Sequence, residues 1–280
     1  MIDAEPSLLR SARPFSLVVA LASCGLGLWL GARQMVSPLP IVLAVLIAGL
    51  LLQLGVNLIN DKTDLPLLQQ GDPRAARRRE HILLSFRLGL ASFAVAVVIG
   101  LALVFASGWE LFVIGVLGVL GAFAYTTEPF NYKRRGLGVI LVFWLMGVLM
   151  VVGAYTAVTG EPSWVVFWHS LPLSLLISLL LLGNEIRDVE RDREHGIRTL
   201  SVRIGLTNAR RLFWVLILAA YLLSAIYAVL GWLPGVYWLA VSLPLLVPIA
   251  RHLHADERVP LPPWTGRLLL VFAIGYALAL

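Results

Sequence analysis

The chain has 280 residues, of which 59% are hydrophobic and only 14% are charged, and its mean hydropathy is +0.88. These values lie far outside the range of a water-soluble globular domain, so they exclude a soluble protein and predict a polytopic membrane protein. The net charge of +6 does not indicate a nucleic-acid partner, because the basic residues are distributed as membrane topology requires.

Apolar segments of about 18 to 23 residues recur along the chain, which is the length that crosses a bilayer as a helix. The alternation typical of a membrane β-barrel is not visible, so we predict an all-α fold. The first segment is expected to be a retained helix, since no small-residue cleavage pattern follows it. In chain order the nine predicted spans are residues 15–33, 39–59, 82–106, 109–127, 137–158, 163–184, 209–230, 234–250 and 264–280.

Basic residues are concentrated in connections that the nine spans place on one side of the membrane. These predicted inner loops are residues 60–81, 128–136, 185–208 and 251–263. Of the 22 lysines and arginines, only Arg33 falls clearly on the other side. This positive-inside pattern predicts a cytoplasmic N-terminus and an outer C-terminus. We expect an integral protein of a bacterial inner membrane, surrounded by lipids. Cys24, the single cysteine, lies in the first span and is expected to be a small packing residue.

A short polar pattern occurs twice in the sequence. The stretch "NLINDKTD" (57–64) ends the second span, and "NEIRDVERD" (184–192) ends the sixth. Because four spans separate them, both helices run in the same direction and deliver their carboxylates to the same surface. We therefore predict one membrane domain made of two pseudo-repeated parts, at about 1–127 and 128–280, rather than the inverted repeat typical of many transporters.

Each stretch, if helical, forms a stripe of oxygen-bearing side chains. Two facing stripes would place carboxylates about 4 Å apart, where like charges repel by roughly 4 kcal/mol at an effective dielectric near 20. A cation is needed between them, and oxygen ligands without His or Cys favour Mg²⁺ together with a diphosphate. The stripes consist of Asn57, Asp61 and Asp64 in the first stretch, and Asn184, Asp188 and Asp192 in the second.

Two interpretations of the neighbouring basic residues stay open at this point. The second acidic stretch is interleaved with arginines, so a solvated, salt-bridged helix end would have the same sequence. The inner loops on the same side also contain Lys133, Arg134 and Arg198. These residues are suited to bind diphosphate oxygens, but they fit positive-inside topology equally well.

The two motifs resemble those of the UbiA superfamily of intramembrane prenyltransferases. The resemblance is carried by Asn57-x-x-Asn60-Asp61-x-x-Asp64 and by Asp188-x-x-x-Asp192 followed by "GIRTLSVRIG". It extends over the whole chain, with "ARPFS" opening the first helix and "YKRRGLG" between the fourth and fifth. The second motif is most similar to the branch of MenA-like 1,4-dihydroxy-2-naphthoate prenyltransferases.

The resemblance implies nine helices around a central cavity, in which Mg²⁺ assists transfer of a prenyl group from a polyprenyl diphosphate to an aromatic acceptor. It implies that Asp61, Asp64, Asp188 and Asp192 hold Mg²⁺ and act in catalysis together with Lys133. The implied diphosphate ligands are Asn57, Asn60, Asn184, Lys133, Arg134 and Arg198. Five aromatic residues are expected either to contact the prenyl cation or to pack in the core: Tyr125, Tyr132, Phe143, Trp144 and Tyr155.

The chain departs from the family pattern at two positions. Where many members have a third acid in the first motif, this chain has Leu68, and the next acid is Asp72, which either substitutes for it or is a turn residue. Where a Glu often follows "RGLG", this chain has Val139. Both departures bear on the acceptor, so a branch with another acceptor, such as 4-hydroxybenzoate or homogentisate, is the alternative. A cation-coupled transporter is disfavoured because the middles of the spans lack acids.

Overall fold

The computed structural model describes residues 7–35, 38–60, 62, 65, 73–126 and 130–280. Within these residues it is a helical bundle without β-strands, which confirms the predicted all-α fold. Eight helical segments among the described residues are long and apolar enough to cross a membrane, and two of them, Gly138–Thr159 and Val236–His254, combine shorter elements. A shorter apolar helix, Trp109–Tyr125, completes the predicted nine. The elements are α1 (Leu8–Ala12), α2 (Pro14–Ala32), α3 (Leu39–Asn60), α4 (Pro73–Ser107), α5 (Trp109–Thr126), α6 (Gly138–Val142), a π-helix (Phe143–Leu149), α7 (Met150–Thr159), α8 (Trp164–Glu194), α9 (Leu200–Val229), a 3₁₀ helix (Val236–Leu245), α10 (Leu246–His254) and α11 (Leu261–Ala279).

Three helices are longer than the sequence predicted, because charged segments assigned to loops continue them. α4 begins at Pro73 rather than at residue 82, α8 ends at Glu194 rather than at residue 184, and α9 begins at Leu200 rather than at residue 209. The predicted inner loops 60–81 and 185–208 were therefore too long. A proline suits the first turn of α4, since it needs no N–H partner there. Only Gly205, with φ 77°, interrupts the early part of α9.

Helix α8 is the centre of the bundle and positions the second acidic stretch. Its 31 residues extend about 45 Å, which exceeds the roughly 30 Å of a bilayer core. Leu176, Ile177 and Leu179 are completely buried, because α2, α9, α11 and the π-helix surround this part of α8. The last turns consequently extend beyond the apolar part of the bundle and carry the charged residues.

Glycines allow several neighbouring helices to pack closely. A Cβ atom at Gly27 of α2 would lie 2.3 Å from the carbonyl oxygen of Val151 in α7. A Cβ atom at Gly55 of α3 would lie 2.6 Å from the Phe93 ring of α4. Small residues at such crossings are typical of membrane helices, whose association depends on close van der Waals contact.

The fifth predicted span contains a π-helix between α6 and α7. The hydroxyl of Ser23, on α2, donates a hydrogen bond to the carbonyl of Met146 within this segment, at 2.6 Å. Serine side chains and local π adjustments both help to satisfy backbone groups inside a membrane. Hydropathy along this span does not indicate the change in helix type.

Among the described residues, one end of the bundle carries the last turn of α3, residues 130–137 before α6, and the connections that follow α8 and α10. Lys133 reaches Asn60, and Arg258 forms an ion pair with Glu190. We call this end the charged face. The structure thus brings together loops that the charge pattern placed on one side, and the assignment of that side to the cytoplasm stays a prediction.

Candidate active site

Lys133 connects the ends of the two motif helices. Its ammonium nitrogen donates a hydrogen bond to Oδ1 of Asn60, the last residue of α3, at 2.9 Å. The same ammonium interacts electrostatically with the carboxylates of Glu185 and Asp192 near the end of α8. The Lys133 ammonium therefore bonds one of the two repeated polar stretches and interacts electrostatically with the other.

The backbone around Lys133 is held in place by the end of α5. The amide of Lys133 donates to the carbonyl of Tyr125 at 3.1 Å, and the amide of Tyr132 donates to Ala124 at 3.2 Å. These bonds satisfy carbonyl groups that the helix end would otherwise leave without partners. The fold thus fixes the Lys133 backbone, and the long side chain extends from it toward α3 and α8.

A second contact fastens this loop to the segment after α8. The Nε group of Arg203 donates to the carbonyl of Arg198 at 3.0 Å. The Arg203 side chain also covers Gly136, where a Cβ atom would lie 2.5 Å from its Cδ, and the φ of 73° at Gly136 favours glycine in any case. Arg198 and Arg134, both predicted diphosphate ligands, are exposed on the charged face.

Asp188 is surrounded by guanidinium groups. Arg187 donates to both of its oxygens, at 2.9 Å to Oδ1 and 2.6 Å to Oδ2, and Arg191 lies 3.3 Å from Oδ2. Asp192 has a weaker ion pair with Arg191, at 3.8 Å, and its side chain is only 6% exposed. The salt-bridged helix end considered from the sequence is therefore present at Asp188, whereas Asp192 lies deeper and interacts with Lys133.

Glu185 lies on the same face of α8 and is a residue that the sequence interpretation missed. It precedes Asp192 by seven residues, and this spacing returns to the same side of a helix after two turns. Its Oε2 accepts a hydrogen bond from the amide of Ser201 at the start of α9, at 3.1 Å. Its Oε1 is buried and has no hydrogen-bond partner among the described residues. Glu185 therefore adds a third carboxylate to those of Asp188 and Asp192, and we call these three residues the acidic cluster. The seven-residue spacing was the sequence signal that could have identified Glu185.

Besides Asn60, the other two of the three predicted asparagine ligands also make contacts within the fold. Asn57 is buried, and its amide nitrogen donates to the carbonyl of Ala12 and to the hydroxyl of Ser16, each at 2.8 Å. Asn184 donates to the carbonyl of Leu180 in its own helix at 3.1 Å. Asn57 therefore ties α3 to the junction of α1 and α2, and the role of both asparagines in diphosphate binding stays a prediction.

Arg13 is a second residue that the sequence interpretation did not select. It caps the start of α2 with φ 48° and ψ 67°, a left-handed conformation that is uncommon outside glycine. The residue before a proline normally adopts an extended conformation, so the backbone here is strained. The Arg13 charge acts on Asp188 and on Tyr125. Only the "RP" pair in "ARPFS" pointed to this position, and its proximity to the second motif depends on the tertiary fold.

The five predicted aromatic residues occupy different environments. Tyr125 lies beside the acidic cluster, because its ring and Oε1 of Glu185 both lie close to Gly138. Trp144 is 47% exposed on the surface of the bundle. Tyr132 packs with Phe130, Phe143 packs with Trp144, and Tyr155 is buried against α2 at Gly31. Of the five, Tyr125 is the residue that the structure brings to the cluster.

An apolar cavity of about 380 Å³ lies between α2, α3, α4, α5, α7 and the π-helix. Its lining includes Cys24, Gly49, Leu52, Phe112 and Met150. Leu52 precedes Asn57 by only five residues on α3, so the cavity begins close to the polar end of that helix. An apolar chain is the type of ligand that such a lining accommodates.

The second acidic stretch ends in carboxylates, the ligand type that Mg²⁺ prefers in proteins. Among the described residues, no group of three or more His, Cys, Asp or Glu side chains is arranged to hold a metal ion. Asp61, Asp64 and Asp72 lie outside those residues. Asp188 and Asp192, with the unpartnered oxygen of Glu185 nearby, offer only oxygen donors, and Mg²⁺ in proteins often takes one or two carboxylates plus water and phosphate. By donor type these residues suit Mg²⁺, and they supply half of the metal site predicted from the two motifs.

A sequence profile of the UbiA prenyltransferase family matches residues 18–275. The chain belongs to this family. It is therefore a prenyltransferase, and the predicted family resemblance is confirmed.

Relatives of this UbiA protein align with nearly the whole chain. It is 30% identical to 1,4-dihydroxy-2-naphthoate octaprenyltransferase from Escherichia coli K12, over 97% of this chain and 95% of that protein. It is 28% identical to the enzyme of the same name from Mycobacterium leprae, with the same coverage. A UbiA homologue from Archaeoglobus fulgidus bound to GPP and Mg²⁺ superposes with a TM-score of 0.68 at 14% identity, over 96% of this chain and 99% of that one. This structural likeness shows that the UbiA protein shares the fold of that homologue.

Proposed function

We propose that this prenyltransferase moves a polyprenyl group from a polyprenyl diphosphate to 1,4-dihydroxy-2-naphthoate, with Mg²⁺, in menaquinone biosynthesis. The named activity of the relatives from Escherichia coli and Mycobacterium leprae supports the choice of acceptor. The observation that carries the proposal is the position of Lys133, whose ammonium interacts with the ends of both motif helices.

The diphosphate is proposed to bind on the charged face between α3 and α8. Lys133 is held there by its loop, and its ammonium bonds Asn60 at the end of α3. Arg134 and Arg198 are exposed on the same face, where each has room to reach a diphosphate oxygen. We assign Mg²⁺ to Asp61, Asp64, Asp188 and Asp192, where, when bound, it would neutralise charge on the diphosphate leaving group.

Fixed cations favour cleavage of the allylic carbon–oxygen bond, because the diphosphate gains negative charge as the bond breaks. A donor that is already in position stabilises this charge without reorganisation, and such effects are often the largest single contribution to catalysis. Lys133 meets this condition, since its backbone is bonded to the last carbonyls of α5. The nucleophilic ring carbon of the acceptor then bonds to the prenyl cation, and in the naphthoate reaction the acceptor loses its carboxylate as carbon dioxide.

The prenyl tail is proposed to occupy the apolar cavity beside α3. Its lining, from Leu52 to Phe112 and Met150, offers apolar contact along the tail, and the cavity begins near the polar end of α3. Exclusion of water also protects the carbocation from hydrolysis. The position of Tyr125 beside the acidic cluster supports a role for its ring in stabilising the cation.

We further propose that the charged face lies in the cytoplasm of a bacterial cell, as the positive-inside pattern predicts. The division into two pseudo-repeated parts, at about 1–127 and 128–280, likewise stays part of this proposal. Asp72 is retained as a candidate for the acid missing at Leu68, and both residues lie outside the described part of the chain.

The acceptor is tested with purified protein, Mg²⁺ and a labelled polyprenyl diphosphate. Dihydroxynaphthoate, 4-hydroxybenzoate and homogentisate are offered separately, and prenylated product is measured by chromatography. We expect product with dihydroxynaphthoate and loss of that product when EDTA removes the metal. Product with another acceptor alone would identify a different UbiA branch. No product with any acceptor, combined with metal-driven ion flux in vesicles, would support the transporter alternative.

The metal assignment is tested by Asp61→Asn and Asp188→Asn. Each change removes a negative ligand while keeping the side-chain shape, so we expect prenyl transfer to be abolished while the protein still folds. Arg193→Gln is the matched control, since Arg193 is an exposed charge on the same end of α8. Turnover like that of the wild type in both aspartate variants would refute the assignment.

A further inference from the structure

A polar pocket lies on the charged face beside the candidate active site. It measures about 630 Å³ and lies between the end of α8, the beginning of α9 and the connection that follows α10. We call it the arginine pocket. Its polar lining consists of Arg187, Arg210 and Arg258 together with Glu190, Asp256 and Glu257.

Two of the arginines are fixed by the fold. The Arg258 side chain is only 7% exposed, and its Nη2 lies 2.5 Å from Oε1 of Glu190. Its Nε–H group is buried and has no hydrogen-bond partner among the described residues. Arg210 donates from Nε to the carbonyl of Leu253 at 2.8 Å, which holds its guanidinium at the pocket. A buried donor without a partner is unusual, and an acceptor from a bound molecule would satisfy it.

The acidic side of the pocket differs from the arginine side. Asp256 and Glu257 are exposed, and neither forms a side-chain hydrogen bond or ion pair with the described residues. The pocket therefore offers both a cationic wall and unpaired carboxylates. A simple anion would use only the arginines, whereas a molecule with a phosphate and an ammonium group would use both.

The position of the pocket favours a molecule from the membrane surface. The connection after α10 joins the helical segments Val236–His254 and Leu261–Ala279, both long and apolar enough to cross a membrane, so it lies near the level of the lipid headgroups. Val259, which also lines the pocket, is 49% exposed and offers an apolar contact beside the charges. Basic pockets between helices are known sites for lipid headgroups.

We propose that the arginine pocket binds a phosphate diester with a primary ammonium group, as the headgroup of phosphatidylethanolamine. The phosphate contacts Arg210 and the pocket-lining side of Arg258, and the ammonium contacts Asp256 and Glu257. The site is separate from the proposed diphosphate site, although Arg187 borders both, since it lines the pocket and bonds Asp188.

The test measures lipid binding rather than turnover, so its result is independent of the proposed prenyl transfer. The full chain is purified, stripped of lipid and mixed with equal amounts of phosphatidylethanolamine, phosphatidylcholine and phosphatidylglycerol in detergent. Native mass spectrometry then measures the retained lipid. We expect phosphatidylethanolamine to be retained most, because phosphatidylglycerol lacks the ammonium and the quaternary group of phosphatidylcholine cannot donate hydrogen bonds.

The double variant Asp256→Asn and Glu257→Gln isolates the ammonium contact without touching a buried group. We expect its preference for phosphatidylethanolamine to fall about two- to fivefold, as expected for exposed ion pairs. The matched control, Glu161→Gln with Glu194→Gln, removes two exposed acids elsewhere and should keep the preference.

Three results would overturn the proposal. The first is equal retention of the three lipids by the wild type, and the second is an unchanged preference in the Asp256 and Glu257 variant. The third is that inorganic phosphate displaces the lipid as effectively as soluble glycerophosphoethanolamine does, which would show that the pocket recognises phosphate alone.

Discussion

Replacing Lys133 by Met removes the ammonium group that bonds Asn60 and acts on Asp192. The change deletes a charge-assisted hydrogen bond of 2.9 Å and the attraction to the α8 carboxylates, while the Lys133 backbone keeps its bond to the end of α5. Loss of one positioned donor to a developing anion typically lowers kcat about 10²- to 10³-fold, or about 2.7–4 kcal/mol in the activation free energy. We expect a loss of this size in Lys133→Met.

The assay measures initial rates of prenyl transfer at several concentrations of polyprenyl diphosphate, so that kcat and KM are separated. Lys133→Arg keeps the charge and should retain part of the activity, although a guanidinium does not reproduce the geometry of an ammonium. Arg193→Met removes an exposed cation from the same face and should behave as the wild type. If Lys133→Met keeps the wild-type kcat while the protein remains folded, Lys133 does not stabilise the leaving group and the reasoning is wrong.

Two further substitutions test the packing around the site and the cavity, each by thermal unfolding of the purified protein. Glu185→Ala removes the acceptor for the Ser201 amide and leaves that buried donor unsatisfied, so we expect a loss of about 1–3 kcal/mol in the free energy of unfolding; unchanged stability would contradict it. Gly49→Ala places a Cβ atom 2.5 Å from the sulfur of Cys24 and should destabilise the protein by about 1–3 kcal/mol. Adding Cys24→Ala should restore stability, because the next atoms lie at 3.8 Å or beyond, and Gly100→Ala, with open space around it, is the neutral control.

The number of helices could be predicted from the sequence because the cost of burying polar groups in lipid makes each span a long apolar run. The helix ends were harder to predict. Residues 185–194 are charged, which excludes them from the membrane but does not prevent them from continuing α8 into water. Hydropathy indicates which residues lie within the bilayer. The end of a helix depends instead on where its backbone hydrogen bonds stop and are capped.

The candidate site was predictable where a motif lies within one helix. Asp188 and Asp192 are close because they are four residues apart on α8, and local spacing was enough to show this. Arg13, at the start of α2, is close enough for its charge to act on Asp188, and the sequence around Arg13 does not indicate this proximity. The Asn57 contacts with Ala12 and Ser16 were missed for the same reason, since they depend on how α2 and α3 pack.

The bond between Ser23 and Met146 has an evolutionary consequence. It joins the buried Ser23 hydroxyl on α2 to a π-helical turn 123 residues later in the chain. A one-residue deletion that restored regular α-helix there would move the Met146 carbonyl and leave the serine hydroxyl in an apolar environment. The length of the fifth span and the residue type at position 23 should therefore change together among relatives, and a sequence comparison can check this without any biochemical assay.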